Sequence, residues 1–272
     1  MTYYQNLIGV LRWIVELGRI DINYEVAVLS QYLVNPRRGH LIQAIHIFKY
    51  LDIHKQSFLR FDPTYLDLDN PVEANNNPDC KRRAMRKFYP DAKEAIPPNC
   101  PEPRGKPVQI NCFVDSDHAG NVVTRRSQTG ILVYLNMAPI FWYSKKQNTV
   151  ESSTFSSEFV ALRIASEKVI SLRYKLRMFG IPIDGPANMF CDNEAVYKNS
   201  SMADSTLKKK HNSIAYHRTR ECVACGIMYV HKEESESNLA DILTKALSKD
   251  KRVYLRSRIM YDVGVKSISS KK

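Results

Sequence analysis

Proline is concentrated in one stretch of the chain, and this constrains the fold more than any other feature of the sequence. Nine of the thirteen prolines lie between residues 63 and 107, together with three consecutive asparagines at 75–77. Proline lacks a backbone N–H and interrupts helices and central strands, so such a composition favours extended, poorly packed chain. The sequence therefore predicts a linker over residues 61–107 between two folded regions.

The region before the prolines has the periodicity of helices. Apolar residues recur at spacings of three and four in residues 8–15, 25–33 and 41–51, which is the pattern of helices with one apolar face. Turn-forming residues separate these segments. We predict a small all-helical unit over residues 1–60.

The region after the prolines alternates between strand and helix patterns. The predicted strands cover residues 109–114, 131–134, 139–143, 189–191 and 227–230. The predicted helices are a long one between Ser153 and Gly180, a short one after Asp192, and two at 214–223 and 239–247. Strands followed by alternating helices and strands predict an α/β fold, a mixed five-stranded sheet flanked by helices over residues 108–247. Trp142 and Tyr143 fall in a strand and are expected in the core.

Charge and composition exclude several classes. The net charge is +12, and half of the excess lies in residues 248–272, predicted as a basic C-terminal tail that contacts phosphates or an acidic partner, or that is simply solvated. No apolar stretch reaches the ~20 residues of a membrane-spanning helix, and no secretory signal or other targeting signal is recognisable. The six cysteines suit a reducing compartment better than a disulfide framework.

Four acidic residues lie at the ends of predicted elements, where a mixed sheet gathers functional groups. Asp115 ends the first strand, Glu158 lies in the first turns of the long helix, Asp192 follows the fourth strand, and Asp241 begins the last helix. Crowded carboxylates repel one another unless a cation neutralises them, and oxygen ligands suit Mg²⁺ or Mn²⁺. By position alone, chance placement of four among 28 acidic residues remains open.

Residues 112–247 carry seven motifs in order that resemble the ribonuclease H domain of copia-type retrotransposon polyproteins. The motifs are FVDSDHAG at 113–120, RSQTG at 126–130, WYSKKQ at 142–147, ESSTFSSEFVAL at 151–162, CDN at 191–193, KHNSIAYHR at 210–218 with RE at 220–221, and LADILTK at 239–245. The resemblance implies a ribonuclease H-like fold. It also implies metal-dependent endonucleolytic cleavage of the RNA strand of an RNA–DNA hybrid.

The resemblance also assigns roles to residues. Asp115, Glu158, Asp192 and Asp241 match the four catalytic, metal-binding carboxylates, which would hold two Mg²⁺ ions or Mn²⁺ as a substitute. His211 would contact the scissile phosphate or assist product release, with a capping or packing role as its alternative.

Other residues are candidates for contacts with nucleic acid. The predicted set is Arg125, Arg126, Ser127, Asn193, Lys208, Lys209 and Lys210. Arginine, lysine and serine are natural phosphate contacts, and Asn193 would reach a ribose hydroxyl. Turn chemistry or a solvated loop is the alternative for each. A zinc site built from His217, Cys222 and Cys225 is disfavoured, because the resembling motif does not need the cysteines.

Residues 4–55 resemble the thumb region that ends the reverse transcriptase of the same polyproteins. The matching segments are YQNLIGVL at 4–11, RIDI at 19–22, the LS pair at 29–30, the context of His40, and YL at 50–51. No YxDD polymerase motif occurs in the sequence, so no polymerase activity is expected. We expect a C-terminal piece of a longer product, or a gene reading that begins within a domain. The upstream reverse-transcriptase palm is its expected partner, in the cytoplasmic virus-like particle of the element or in the nucleus.

Two other functions remain open. The chain would bind nucleic acid without cleaving it if it is a silent remnant of a retroelement. It would clamp a duplex for a separately encoded polymerase if the sheet domain is purely structural.

Overall fold

A computed structural model describes residues 2–65, 78–207 and 210–262 of the chain. It divides into two compact units, one combining Met1–Arg60 with Ala246–Lys272 and the other spanning Phe61–Lys245. The elements, in chain order, are α1 Thr2–Glu16, α2 Asn23–Leu29, α3 Arg38–Ile53, β1 Ser57–Phe58, α4 Pro78–Arg86, β2 Ile110–Asp117, β3 Gln128–Leu135, β4 Ala138–Lys146, α5 Thr154–Met178, β5 Ala187–Cys191, α6 Glu194–Ser201, α7 Ser213–Ala224, β6 Met228–Lys232, α8 Lys249–Ile259 and β7 Tyr261–Asp262.

The first unit is helical, as its periodicity predicts. Helix α1 buries Tyr4, Ile8, Leu11 and Val15, which lie on one face at spacings of three and four. Helices α2 and α3 occupy the other two predicted segments. Strand β1 pairs antiparallel with β7, so the C-terminal part of the chain completes this unit.

Residues 249–262 of the predicted basic tail therefore form a helix and a short strand of this unit. Helix α8 directs two of its arginines inward: Arg252 donates to Glu25 at 2.5 Å, and Arg256 forms an ion pair with Asp262 at 2.5 Å. Their charge is neutralised within the unit and is not free for phosphates. Net charge along a sequence does not reveal such pairing, because Glu25 is distant from Arg252 in the chain and the approach of Asp262 to Arg256 depends on the fold. Residues 263–272 lie outside the described residues.

The predicted linker also contains ordered structure. Helix α4 lies within it, and Met85 of this helix is fully buried in the core of the second unit. Further along, Glu94 accepts hydrogen bonds from Arg173 and Arg177 of α5, each at 2.6 Å. The proline content misled the prediction because apolar contacts such as that of Met85, together with the ion pairs of Glu94, anchor the segment. Residues 66–77 lie outside the described residues, and the predicted domain boundaries remain predictions.

The second unit contains the predicted mixed five-stranded sheet. The strand order is β4-β3-β2-β5-β6. Strands β4, β3 and β2 pair antiparallel, whereas β5 pairs parallel with both β2 and β6. The parallel pairing makes the C-terminal ends of β2 and β5 coincide at one edge of the sheet.

Helix α5 covers one face of this sheet and supplies much of the core. Its start and end follow the predicted signals: the Ser153 side chain accepts from the backbone N–H of Ser156, and Gly180 follows the helix with a φ of 66°. Phe159, Leu162 and Val169 of α5 are completely buried. In β4, Tyr143 packs against this core and is half-buried, as is Trp142.

The predicted helix at 239–247 is shorter and of another type. Residues Leu239–Leu243 form a 3-10 helix, in which the N–H groups of Asp241 and Thr244 bond to carbonyls three residues earlier. Close packing against β3 favours this tighter helix. A Cβ on Gly130 would lie 2.6 Å from Thr244 Cγ2 and 2.8 Å from the Ala240 carbonyl oxygen.

Candidate metal and nucleic-acid site

Three of the four predicted carboxylates meet at the C-terminal edge of the sheet. Asp115 and Asp192 follow Val114 and Cys191, which are register partners in the parallel pair of β2 and β5. Asp241 reaches the same place from the 3-10 helix. One carboxylate oxygen from each of Asp115, Asp192 and Asp241 lies within 4.8 Å of the others. We call these three residues the carboxylate cluster.

Asp241 is held in position by the buried Asn238 and by the close approach of the 3-10 helix to Gly130 of β3, which has no side chain. The Asn238 Nδ2 donates to the Val114 carbonyl at 3.0 Å, and its Oδ1 accepts from the Ala240 N–H at 3.1 Å. Gly130 allows the 3-10 helix to approach the strand. These contacts fix Asp241 beside Asp115, and each depends on a residue within a motif that the sequence analysis identified or next to one.

Glu158, the fourth predicted carboxylate, lies beside the cluster but not in the group of three. It is 5% exposed on the first turns of α5. Its Oε2 is buried without a hydrogen-bond partner among the described residues. Burial, with the nearby charges of Asp115 and Asp192, raises its pKa well above the ordinary value. A buried carboxylate oxygen without a hydrogen-bond partner is energetically costly. The site therefore favours either the binding of a cation or the protonation of Glu158.

The pKa of Asp115 indicates the same preference for a cation or a proton. Burial raises its pKa to about 7, and the neighbouring Asp241 charge adds to the effect. The Thr244 hydroxyl donates to Asp115 Oδ2 and opposes the shift only in part. The donor set consists entirely of carboxylate oxygens, the chemistry that Mg²⁺ and Mn²⁺ prefer. The residues present therefore fit a hard divalent cation.

Sequence reasoning gave no role to Lys245, which the structure places at the cluster. Its Nζ lies 2.7 Å from Asp241 Oδ1 and 3.5 Å from Asp115 Oδ2. Burial lowers the pKa of a lysine, but the charges of Asp115 and Asp241 more than offset this and raise the Lys245 pKa above its ordinary value. Its position in the LADILTK motif, four residues after Asp241, was the available signal.

Gln147 is a second residue whose role the sequence did not reveal. Its buried Nε2 donates to Thr129 Oγ1 and to the Ser157 carbonyl oxygen, both at 2.9 Å. These bonds join strand β3 to the first turn of α5, next to Glu158. Gln147 therefore positions the helix that carries the fourth carboxylate.

His211 precedes α7 in the chain, and its side chain lies next to Ser156 in the first turn of α5. The His211 Nε2 is 3.2 Å from Ser156 Oγ, and Asn212 Nδ2 donates to the same hydroxyl at 2.9 Å. His211 itself is exposed. Ser156 thus joins the His211 segment to the helix two residues before Glu158, and a phosphate contact by His211 stays a prediction.

The predicted phosphate contacts in the loop between β2 and β3 have different environments. Arg125 is exposed, with a φ of 55°, and its N–H donates to the Asn121 carbonyl at 2.7 Å. Arg126 is half-buried. Ser127 is completely buried, and its hydroxyl accepts from the Ala119 N–H at 3.1 Å. The buried hydroxyl of Ser127 thus closes the loop, which is the turn role that the sequence analysis left open, and a phosphate contact by Ser127 stays a prediction.

The remaining predicted nucleic-acid contacts are only partly described. Asn193 caps helix α6, with its Oδ1 accepting from the Val196 N–H at 3.1 Å, which is the alternative that the sequence analysis left open. Lys210 is exposed. Lys208 and Lys209 lie outside the described residues.

The cysteines and His217 do not form a metal site in the described part of the chain. Cys222 is buried in the core and Cys225 packs against it, while burial raises the pKa of both thiols. His217 Nδ1 is 2.7 Å from the Tyr89 hydroxyl. All six cysteines are free. In residues 2–65, 78–207 and 210–262, three or more candidate metal ligands converge only at the carboxylate cluster.

Comparison with known proteins relates the chain to retrotransposon polyproteins. It is 26% identical over 250 residues to the retrovirus-related Pol polyprotein from transposon RE1 of Arabidopsis thaliana, which covers 91% of this chain and 14% of that protein. The corresponding polyprotein from transposon TNT 1-94 of Nicotiana tabacum is 25% identical over 248 residues, 91% of this chain and 15% of that protein. The chain thus spans about one seventh of these relatives.

The other comparisons add little to this relationship. No protein-family model matches the chain. Among solved structures, ribonuclease H1 from Halobacterium salinarum is similar to 50% of this chain over 94% of its own, with 14% identity and a TM-score of 0.40. Within the described residues, no helix has both the length and the apolar character needed to cross a membrane.

Proposed function

We propose that the chain, which is 25–26% identical over 91% of its length to retrotransposon Pol polyproteins, is a metal-dependent endonuclease that hydrolyses the RNA strand of RNA–DNA hybrids. The observation that carries the proposal is the carboxylate cluster, with one oxygen from each of three residues within 4.8 Å. The partnerless oxygen of Glu158 beside it strengthens the proposal.

The roles of the residues follow from their positions. Asp115, Asp192, Asp241 and Glu158 would hold two divalent cations, Mg²⁺ or Mn²⁺. Bound there, such cations supply a nucleophilic water at neutral pH and stabilise the departing oxygen of a phosphodiester. Asn238 and Gln147 act on the reaction indirectly, because they position Asp241 and the start of α5.

The predicted cationic contacts would bind the backbone of the duplex. Arg125 and Lys210 are exposed, and the predicted set continues through Lys208 and Lys209. Contacts of this type carry most of the affinity for nucleic acid and weaken as the salt concentration rises. His211, linked through Ser156 to the helix of Glu158, is the proposed contact to the scissile phosphate. The upstream reverse-transcriptase palm remains the proposed protein partner.

The test is cleavage of a hybrid labelled at the 5′ end of its RNA strand by the full chain. Reactions contain Mg²⁺, Mn²⁺ or a chelator, and the RNA–RNA and DNA–DNA duplexes of the same sequence serve as substrate controls. We expect RNA cleavage in the hybrid with either metal and none with the chelator. Asp192→Asn is expected to lower the rate at least a hundredfold, because catalysis by a metal site depends on each ligand.

A matched variant separates loss of the site from loss of a charge. Asp184→Asn makes the same chemical change at an exposed position before β5, at the opposite end of the strand from Asp192, and should cleave at the wild-type rate. Salt-sensitive binding of the hybrid without cleavage in either metal would reject the nuclease. It would favour the silent remnant or the duplex clamp.

A further inference from the structure

The Lys245 ammonium group occupies a place between two carboxylates of the cluster. It is 2.7 Å from Asp241 Oδ1 and 3.5 Å from Asp115 Oδ2. Both aspartate side chains are 1% exposed, whereas the lysine side chain is 37% exposed. The cation therefore reaches a buried anionic site from solvent, on a stem that can also leave it.

We propose that Lys245 is the resident counter-cation of the carboxylate cluster and that a divalent cation must displace its ammonium group to bind. The inference rests on the proposed function, since it concerns the same metal site. Through this competition, Lys245 would lower the affinity of the cluster for metal and stabilise the cation-free protein.

The geometry makes the two cations competitors. A divalent cation coordinated through Asp241 Oδ1 or Asp115 Oδ2 would use the oxygens that face Lys245 Nζ, and carboxylate–metal distances of ~2.0–2.6 Å leave no room for an ammonium group at hydrogen-bond distance from the same lone pairs. Two cations at one site also repel each other. Binding of the metal therefore includes the cost of breaking the Lys245 contacts, which is a negative coupling between the two.

Lysine is suited to this role by its chemistry. Its ammonium group is a compact charge on a flexible four-carbon stem, with three donors and no fixed plane. It can neutralise part of the charge of the cluster and then move into water without rearrangement of the backbone. Thr244, which donates to Asp115, carries no charge and cannot replace it.

A second lysine near the cluster offers a matched control. Lys232 Nζ donates to the backbone carbonyl oxygens of Asp192 at 2.5 Å and Glu233 at 2.9 Å. Lys232 is exposed. Lys232→Met therefore removes one positive charge beside a cluster residue but leaves the carboxylate oxygens untouched.

The experiment measures Mn²⁺ binding to the full chain in the absence of nucleic acid. Calorimetry and the electron paramagnetic resonance signal of free Mn²⁺ give the dissociation constant for the wild type, Lys245→Met, Lys245→Gln and Lys232→Met. Asp192→Asn shows whether binding occurs at the cluster. Thermal unfolding of each protein is recorded with chelator and with saturating Mn²⁺.

We expect Lys245→Met and Lys245→Gln to bind Mn²⁺ about tenfold more tightly than the wild type, which corresponds to about 1.4 kcal/mol. Lys232→Met should change the affinity by about twofold or less, as expected for a screened, exposed charge. With chelator, the Lys245 variants should unfold at a lower temperature than Lys232→Met, and Mn²⁺ should remove this difference. Lys245→Gln keeps a polar side chain and provides the test if the methionine variant does not fold.

Two results would overturn the inference in distinguishable ways. Equal or weaker Mn²⁺ binding by both Lys245 variants, with normal binding by the wild type, would reject competition and leave the metal site standing. Failure of the wild type and both Lys245 variants to bind millimolar Mn²⁺ would reject the metal site itself, and with it the proposed function.

Discussion

The two units each bury aspartate, but they neutralise it very differently. In the helical unit, Asp21 is 1% exposed and receives Arg19 Nε and Nη2 at 2.9 and 2.8 Å, with the Tyr50 hydroxyl at 2.7 Å. Burial favours a higher pKa for Asp21, but the hydrogen bonds and charge of Arg19 outweigh it and hold the pKa below the ordinary value.

The carboxylate cluster in the sheet unit has the opposite balance. Among the described residues, Lys245 Nζ lies 2.7 Å from Asp241 Oδ1 and 3.5 Å from Asp115 Oδ2, and the pKa of Asp115 is still raised to about 7 by burial and by the charge of Asp241. A carboxylate whose hydrogen bonds and ion pairs outweigh its burial stabilises a fold, whereas buried carboxylates that crowd and repel one another are suited to bind a cation. The same residue type thus has a structural role in one unit and a proposed functional role in the other.

The largest expected effect comes from removing the neutralised charge. Asp21→Asn should lower the free energy of unfolding of the helical unit by about 3–5 kcal/mol, because Arg19 is left buried without its charged partner. Urea unfolding in a Trp142→Phe background measures it, since Trp13 of α1 is then the remaining tryptophan. Asp52→Asn, at an exposed position in α3, is the control. A loss below 1 kcal/mol would contradict the structural role of Asp21.

The two units should also respond to pH in opposite directions. The raised pKa of Asp115 means that its contribution to stability is present below its unfolded-state pKa of about 3.8 and is lost as the pH rises through about 7. The size is on the order of 4 kcal/mol. Asp21, whose pKa is lowered, stabilises above its unfolded-state pKa and loses this contribution as the pH falls through its folded-state value.

This difference can be followed by thermal unfolding from pH 4 to 8 with chelator. Trp13→Phe leaves Trp142 to report on the sheet unit, which should lose stability as the pH rises. Mg²⁺ at saturating concentration should abolish that loss at pH 7–8. A sheet unit whose stability is flat over this range, with or without Mg²⁺, would show that the cluster is already neutralised.

Removing one charge from the cluster should stabilise the cation-free protein. Asp115→Asn is expected to raise the free energy of unfolding of the sheet unit by about 1–2 kcal/mol at pH 8 in chelator, because it relieves repulsion and burial of a charge. Urea unfolding in the Trp13→Phe background measures it. Destabilisation to the extent predicted for Asp21→Asn would show that the Asp115 carboxylate, like that of Asp21, stabilises the fold.

The smallest expected effect is at the Ser156 hydroxyl. Ser156→Ala should lower the stability of the sheet unit by about 1 kcal/mol, because the buried Asn212 amide loses its acceptor. Hydrogen exchange should also become faster in residues 210–212, which the hydroxyl joins to α5. Ser213→Ala, at the residue that follows Asn212, serves as the control. Unchanged exchange in Ser156→Ala would show that the hydroxyl does not hold the His211 segment.

The elements of the fold were predictable where the signal is local. The three- and four-residue spacing in α1 and the serine and glycine that bound α5 follow from the geometry of a single helix. The mixed five-stranded sheet could be predicted because strand and helix patterns alternate along the sequence, and the structure confirms it. The 3-10 helix at 239–243 was missed because its form depends on contact with Gly130 of a distant strand.

Long-range contacts account for the other differences. Arg252 and Met85 lie in segments whose composition indicates a tail and a linker, but their partners are far away in sequence. The positions of Asp192 and Asp241 were predictable from the ends of elements, whereas Asp115, predicted to end its strand, lies within β2. The resemblance to a known family named all three. The contact of Lys245 with two of them depends on how the 3-10 helix packs, which no local pattern contains.

The most direct test of the account is the structure of the full chain crystallised with Mn²⁺, examined by anomalous scattering. We predict Mn²⁺ peaks bounded by Asp115, Asp192 and Asp241, with Glu158 turned towards them and Lys245 Nζ moved away from Asp241. A crystal soaked in saturating Mn²⁺ that shows no peak there, with Lys245 still 2.7 Å from Asp241, would contradict the central claim that the under-neutralised cluster is a cation site.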